Sequence, residues 1–361
     1  MRREPSRDPI DRPGALRLSL SVKLRHQFFW VGVGAILAAS NCLGQGRRGG
    51  RGGFGWWDDI APFIRTEGGV LVNEDTVRTA RETPSHSTGS LNWTNPPGFE
   101  KDVFTFARII YQPNTSPGVR RVPGPVRWVN DYPDSDLNLS FRLQQLTSMN
   151  VDSDGRVLKL TDPTQFFKDL STTRPSYREV KLDDLALFDY PFIYVAKPGG
   201  LQWKDEEVPV LRKYLLNGGV LMVDDFWGDS EWRVFETQMK RVLPERRWQE
   251  LPLSHPIFHC VFALNVSSID KVQVPSIQFW QRGQDTAFYG GYGASRGDGD
   301  PHMHVRAWLD DKDRIMVIAI HNSDTGDGWE REGEDPEYFR MFSETRAYPL
   351  AINIIFYSMT H

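Results

Sequence analysis

Cysteine is almost missing from this 361-residue chain, which has two, Cys42 and Cys260. Two thiols so placed exclude a disulfide scaffold and a cysteine-rich zinc site. Long apolar runs are missing too. Phe28 to Ala39 spans twelve residues, short of the ~20 a membrane-spanning helix needs. No His-Glu-x-x-His, no paired Cys motif and no Asp-x-Asp-x-Asp-Gly calcium loop occurs, so no metal can be assigned from spacing. The glycine-rich stretch from Gly283 to Pro301 lacks the Lys-Ser/Thr pair of a phosphate loop and suits a mobile loop over a site. Charge is not in large excess either, the formal balance being −4. An acidic chain is a poor partner for nucleic acid.

What is present begins with an export signal. Lys23 and Arg25 precede the apolar run, and small residues follow it, the layout of a signal peptide over 1–44. Cleavage is expected after Gly44, with Ser40 as the other position. Asn41 is larger than the small residue that lipid-anchor processing takes before a cysteine, so Cys42 is not expected to be lipidated. Pro5, Pro9 and Pro13 make the upstream segment unusual for a signal, and Val22 is the alternative start. Removing 1–44 takes away seven Lys/Arg and three Asp/Glu, leaving −8. A periplasmic or secreted protein with no transmembrane segment in its mature chain is expected. The stretch 45–100 reads as a linker: arginine and glycine from Gln45 to Gly55, then proline, serine and threonine from Thr83 to Gly98.

From Lys101 the pattern alternates between strand and helix. Val103 to Tyr111, Val157 to Leu160, Tyr190 to Ala196 and Val220 to Val223 read as strands. Helices are expected after Trp128–Asp136, with Asp134, Ser135 or Asp136 as cap, and over Lys204 to Leu216, ended by Gly218-Gly219. Val220 to Val223 has four apolar residues without alternation, which suits a strand covered on both faces. A further helix is expected over Ser230 to Leu243, a strand over Val272 to Phe279, and a hairpin from His304 to Leu309 and Arg314 to Ile320. Ala347 to Met359 closes the chain as a helix. The order strand, helix, strand, helix, strand predicts an α/β fold with a mostly parallel sheet, helices on both faces and a C-terminal β-rich extension and hairpin.

Asn130-Asp131-Tyr132-Pro133, Tyr190-Pro191-Phe192-Ile193-Tyr194, Leu211–Leu215 leading to Gly218-Gly219, Asp224-Asp225-Phe226-Trp227-Gly228, His255-Pro256-Ile257-Phe258 and His321-Asn322-Ser323-Asp324 with Trp329-Glu330 occur in that order. Together they resemble the bacterial domain of unknown function 4159, over about residues 101–361. The resemblance implies a flavodoxin-like fold similar to class I glutamine amidotransferases, an envelope setting and membrane-protein partners. It implies no reaction. Those amidotransferases place a cysteine on the turn after a strand, where this chain has Asp224-Asp225. Cys260 lies in an apolar stretch and is expected to be structural, so amidotransfer is not expected.

In a parallel sheet the carboxyl ends of the strands form the ligand crevice. Asp224, Asp225 and Trp227 follow one strand, His321, Asn322 and Asp324 another, and Asp131 comes from the loop after the first, with His255 or His259 nearby. Asp225 and His321 are the catalytic candidates, as acid and base of a hydrolase acting on an envelope glycan or peptide, with a metal left open. Asp131, Asp224, Trp227, Asn322, Asp324 and Trp329 are the ligand-binding candidates, the two tryptophans as stacking faces for a sugar. A binding or regulatory domain is favoured over the hydrolase, and a scaffold partner of a membrane complex is the third reading. For Asp224 and Asp225, capping of the following helix is the competing explanation; for His321, burial at a strand end. Crowded carboxylates need a positive counterpart, whether a metal, a charged His321 or Arg108.

Overall fold

The computed structural model of the protein describes residues 63–85, 91–98, 102–113, 128–161, 185–283 and 299–361. The signal segment 1–44, the arginine-glycine stretch 45–55 and most of the glycine-rich stretch 283–301 lie outside these residues. The described residues form a mixed α/β domain around one seven-stranded sheet. In chain order its strands are β1 (Ala107–Ile110), β2 (Arg156–Lys159), β3 (Phe192–Ala196), β4 (Val220–Asp224), β5 (Trp248–Glu250), β6 (His304–Leu309) and β7 (Ile315–His321). In space they run β2-β1-β3-β4-β7-β6-β5. The first five in that order pair in parallel, and β6 pairs antiparallel with both β7 and β5. The expected hairpin therefore lies within the main sheet.

Strand sequences account for this arrangement. Every residue of β3, β4 and β7 is buried, as expected of apolar runs covered on both faces. Successive side chains point to opposite faces. Ile193, Val195, Leu221, Val223, Val317 and Ala319 join a core with α2 (Glu207–Leu216) and α3 (Gly228–Val242). Phe192, Tyr194, Val220, Met222, Ile318 and Ile320 join the other core, with Leu139 and Leu143 of α1 (Asp134–Leu146) and the C-terminal helix Tyr348–Thr360. α2 ends where expected, with Gly218 at φ 112° reversing the chain. Full burial of such an aliphatic or aromatic side chain contributes about 1.5–3 kcal/mol, so the two cores make the sheet rigid and its edges the place where function can be carried. No helix among the described residues is long and apolar enough to cross a membrane.

Several expectations are corrected. The stretch expected as linker folds from Phe63 onward: Phe63–Arg65 and Leu71–Asn73 form an antiparallel hairpin, Ile64, Val72, Val77 and Ala80 enter the core, and the Trp93 indole donates to Val151 O at 2.9 Å. The expected strand at Val272–Phe279 is instead irregular chain and a short helix, Ile277–Trp280. Pro275 has no N–H for a ladder, and the Asp327 carboxylate accepts from Ile277 N at 2.8 Å, which favours a helical start. None of Asp134, Ser135 and Asp136 caps α1 through its side chain, because Ser135 and Asp136 turn to Arg108. Cys260 is exposed. Its thiol donates to Asn353 O, while the Asn353 side chain accepts from Val261 N and Phe262 N and curls the segment outward. His255 packs against the Tyr357 ring of the C-terminal helix and the exposed His259 faces Leu253 O, so neither belongs to the crevice.

Candidate functional site

Four segments meet at the carboxyl edge of the parallel strands, and the backbone there is unusual. Of five non-glycine residues with positive φ among the described residues, four are in this place: Asp131 (60°), Lys197 (49°), Asp225 (58°) and Asn322 (58°). Lys197, Asp225 and Asn322 directly follow β3, β4 and β7. Left-handed backbone costs a residue with a Cβ of order 1–3 kcal/mol and persists only where surroundings hold it. Asn and Asp tolerate it best; Lys197 has no such excuse. The Lys197 N–H donates to Asp224 O at 3.0 Å, which fixes that turn, and its ammonium reaches Asp225 Oδ2 at 3.2 Å.

Asp225 is held from three directions. Besides Lys197, its Oδ2 accepts from Asn130 Nδ2 at 2.7 Å and its Oδ1 from the Trp227 indole at 3.1 Å. Asn130 also donates to Asp131 Oδ1 at 2.7 Å, so the loop before α1 and the end of β4 are joined through one amide. Asp225 does not cap α3. That duty falls to Glu231, whose carboxylate accepts from Trp227 N at 2.7 Å. Burial pushes the Asp225 carboxyl up to about 6, against the pull of Lys197 and the Trp227 indole. Asp224 is pushed by burial up to about 8, and its Oδ2 accepts from Gly326 N at 2.9 Å.

The segment after β7 supplies more acid. Asp324 is the N-cap of α4 (Thr325–Glu330) and accepts from Asp327 N at 3.0 Å. One carboxylate oxygen from each of Asp131, Asp324 and Asp327 lies within 4.8 Å of the others, and the same holds for Glu67, Asp131 and Glu330. Burial, and then neighbouring carboxylates, push Asp131 and Asp324 well above the usual carboxylate range. Cations are fewer. Arg331 lies 2.6 Å from Glu330 and 2.9 Å from Glu67; burial alone would lower its pKa, but those carboxylates hold it up.

The expected counter-charges are elsewhere. Arg108 is fully buried and bound up with Asp136, its Nε at 2.9 Å from both carboxylate oxygens, with Ser135 Oγ at 2.8 Å and the carbonyls of Trp128 and Asn130 at 2.8 and 3.0 Å. His321 lies on the α3 side of β7. Its Nε2 faces Gly228 O at 3.0 Å, its Nδ1 faces the Arg306 guanidinium at 3.3 Å, and Phe226 and Trp232 flank the ring. Burial, then Arg306, pushes its pKa down to about 3, so it is neutral and supplies no charge. Asn322 clamps the chain, accepting from Gly228 N at 2.8 Å and donating to Asp300 O and His302 O at 2.7 and 2.8 Å. Trp329 is wholly buried against Phe106 and Tyr194 and offers no face to a ligand. Trp227 does border the site through its indole.

Sequence reasoning thus named Asp131, Asp225, Trp227 and Asp324, which the structure gathers. It overlooked Lys197, Asn130, Asp327, Glu330, Glu67 and Arg331. A signal existed for two of these: Asp324, Asp327 and Glu330 follow one another at intervals of three, the spacing of one helix face.

The geometry defines a mixed α/β domain with an acid-rich site at the carboxyl edge of its parallel strands. Within it, residues 164–359 match the family described as domain of unknown function (DUF4159), and the chain belongs to that family. The match begins after α1, so Asn130 and Asp131, which complete the site, come from outside it. Among curated proteins, no match is found.

Proposed function

We propose that this is an exported envelope protein whose domain binds a small ligand carrying positive charge or many hydrogen-bond donors. The observation that carries the reading is the charge imbalance. Asp131, Asp225, Asp324, Asp327, Glu330 and Glu67 surround two cations, Lys197 and Arg331. Gathering carboxylates in a desolvated space opposes folding unless a ligand offsets it. The strand order supports the reading. β2-β1-β3-β4 followed by a parallel fifth strand resembles the flavodoxin-like order, in which ligands sit beyond the carboxyl ends of the strands. A thermal-shift panel of amino sugars, short cationic peptides and divalent chlorides tests it. At least one class should raise the melting temperature of the wild type and not of Asp131→Asn. A panel that shifts neither protein contradicts the reading.

A second reading is a hydrolase acting on an envelope glycan or peptide, favoured by Asp225. A carboxyl titrating near 6 can give and take a proton near neutrality, and Trp227 and Lys197 orient it. His321 would have to leave Gly228 and Arg306 to act as its partner, so this reading places the chemistry on Asp225 alone.

A further inference from the structure

We propose that the ligand of this site is a hard divalent cation held by Asp131, Asp324 and Asp327, an inference that rests on the binding reading above. Pairing of charges isolates these three. Lys197 is within 3.2 Å of Asp225, and Arg331 is within 2.9 Å of both Glu330 and Glu67. Among the described residues no cation comes within ion-pair distance of Asp131 or Asp324, and Asp327 has only Arg331, at 3.8 Å. The alternative grouping of Glu67, Asp131 and Glu330 already has its cation.

A second observation is independent of the cluster. Asp131 is 1% exposed, and its Oδ2 is buried with no hydrogen-bond partner. That oxygen points at the first turn of α4, because a Cβ on Gly326 would collide with it. A buried carboxylate oxygen without a donor carries a large desolvation penalty, and a metal ion in front of it removes the penalty. The other oxygens are anchored. Asn130 holds Asp131 Oδ1, Asp327 N holds Asp324 Oδ1, and Ile277 N holds Asp327 Oδ2. One oxygen of each carboxylate is thus held by a donor, the outer-shell support typical of metal ligands. Three carboxylate oxygens select Mg²⁺, Mn²⁺ or Ca²⁺ over the softer ions that favour imidazole or thiolate.

The test is Mn²⁺ titration of the full chain followed by electron paramagnetic resonance, with Mg²⁺ and Ca²⁺ as competitors. One Mn²⁺ per chain should bind. Asp131→Asn and Asp324→Asn should each weaken it by more than the roughly 10–100-fold typical of outer-shell changes, whereas Asp311→Asn, on the exposed turn between β6 and β7, should leave it unchanged. Asn still caps α4 at position 324, and melting curves confirm that both variants fold. Absence of one-site binding in the wild type, or binding untouched by Asp131→Asn, overturns the proposal, as does loss caused by Asp311→Asn alone. If Mn²⁺ fails while an amino sugar or cationic peptide still shifts melting, the cation is wrong and the binding reading stands.

Discussion

Two buried charged corners are built on opposite principles, although Asp131 of one stands five residues before Asp136 of the other. At Arg108 and Asp136 the guanidinium meets a carboxylate, a hydroxyl and two carbonyls, and both side chains are fully enclosed. At Asp131 a carboxylate equally enclosed keeps one oxygen without a donor and faces two more acids. A buried charge that is fully partnered acts as a structural joint, here tying β1 to α1. One left unpartnered among like charges works against folding, which is the ground for the proposed ligand.

The largest predicted effect sharpens the first half of that contrast. Arg108→Met leaves Asp136 buried and unpaired and should cost about 3–5 kcal/mol in denaturant unfolding, while Arg108→Met with Asp136→Leu recovers much of the loss. An unchanged midpoint in the single variant would mean that the corner is not structural. Next in size is His321→Ala, which removes the contacts to Gly228 O and Arg306 and should cost about 1–3 kcal/mol. It should leave any ligand response intact. A lost response with normal stability would return His321 to the site. Glu231→Ala removes the acceptor for Trp227 N at the start of α3 and should cost about 0.5–2 kcal/mol.

The pH dependence separates the corners as well. Burial raises the folded-state pKa of Asp225 to about 6 and of Asp224 to about 8, above the value near 3.9 of an unfolded aspartate. A raised folded pKa means that the folded protein holds protons the unfolded chain releases. Their contribution is whole below about pH 4 and is lost as pH rises through 6 to 8. Urea midpoints of the metal-free protein should therefore be higher at pH 5 than at pH 8, and a rise over the same interval would contradict the burial of these acids.

How far the sequence disclosed this depends on which forces act locally. β3, β4 and the turn at Gly218 were legible because apolar runs and glycine carry their own backbone preferences. The meeting of Asp131, Asp225 and Asp324 was legible too, through the rule that parallel strands present their carboxyl ends on one edge. Lys197 was not, since its left-handed turn is imposed by the bond from its N–H to Asp224 O, made by a neighbouring strand. Nor was the role of Asp136, because only tertiary packing shows that Arg108 is buried and must be answered. His321 and Trp329 read as polar and aromatic site residues, but His321 falls on the α3 face of β7 and Trp329 turns from α4 into the core against Phe106 and Tyr194.

The most direct measurement is the melting temperature of Asp131→Asn against the wild type at pH 8, both freed of divalent metal. The substituted amide keeps an acceptor for Asn130 and turns its NH₂ toward Asp324 and Asp327, replacing repulsion by donation. If the carboxylate is kept for a ligand, the variant melts higher than the wild type. If it melts lower, Asp131 is part of the structural frame, and the contrast between the two corners is lost.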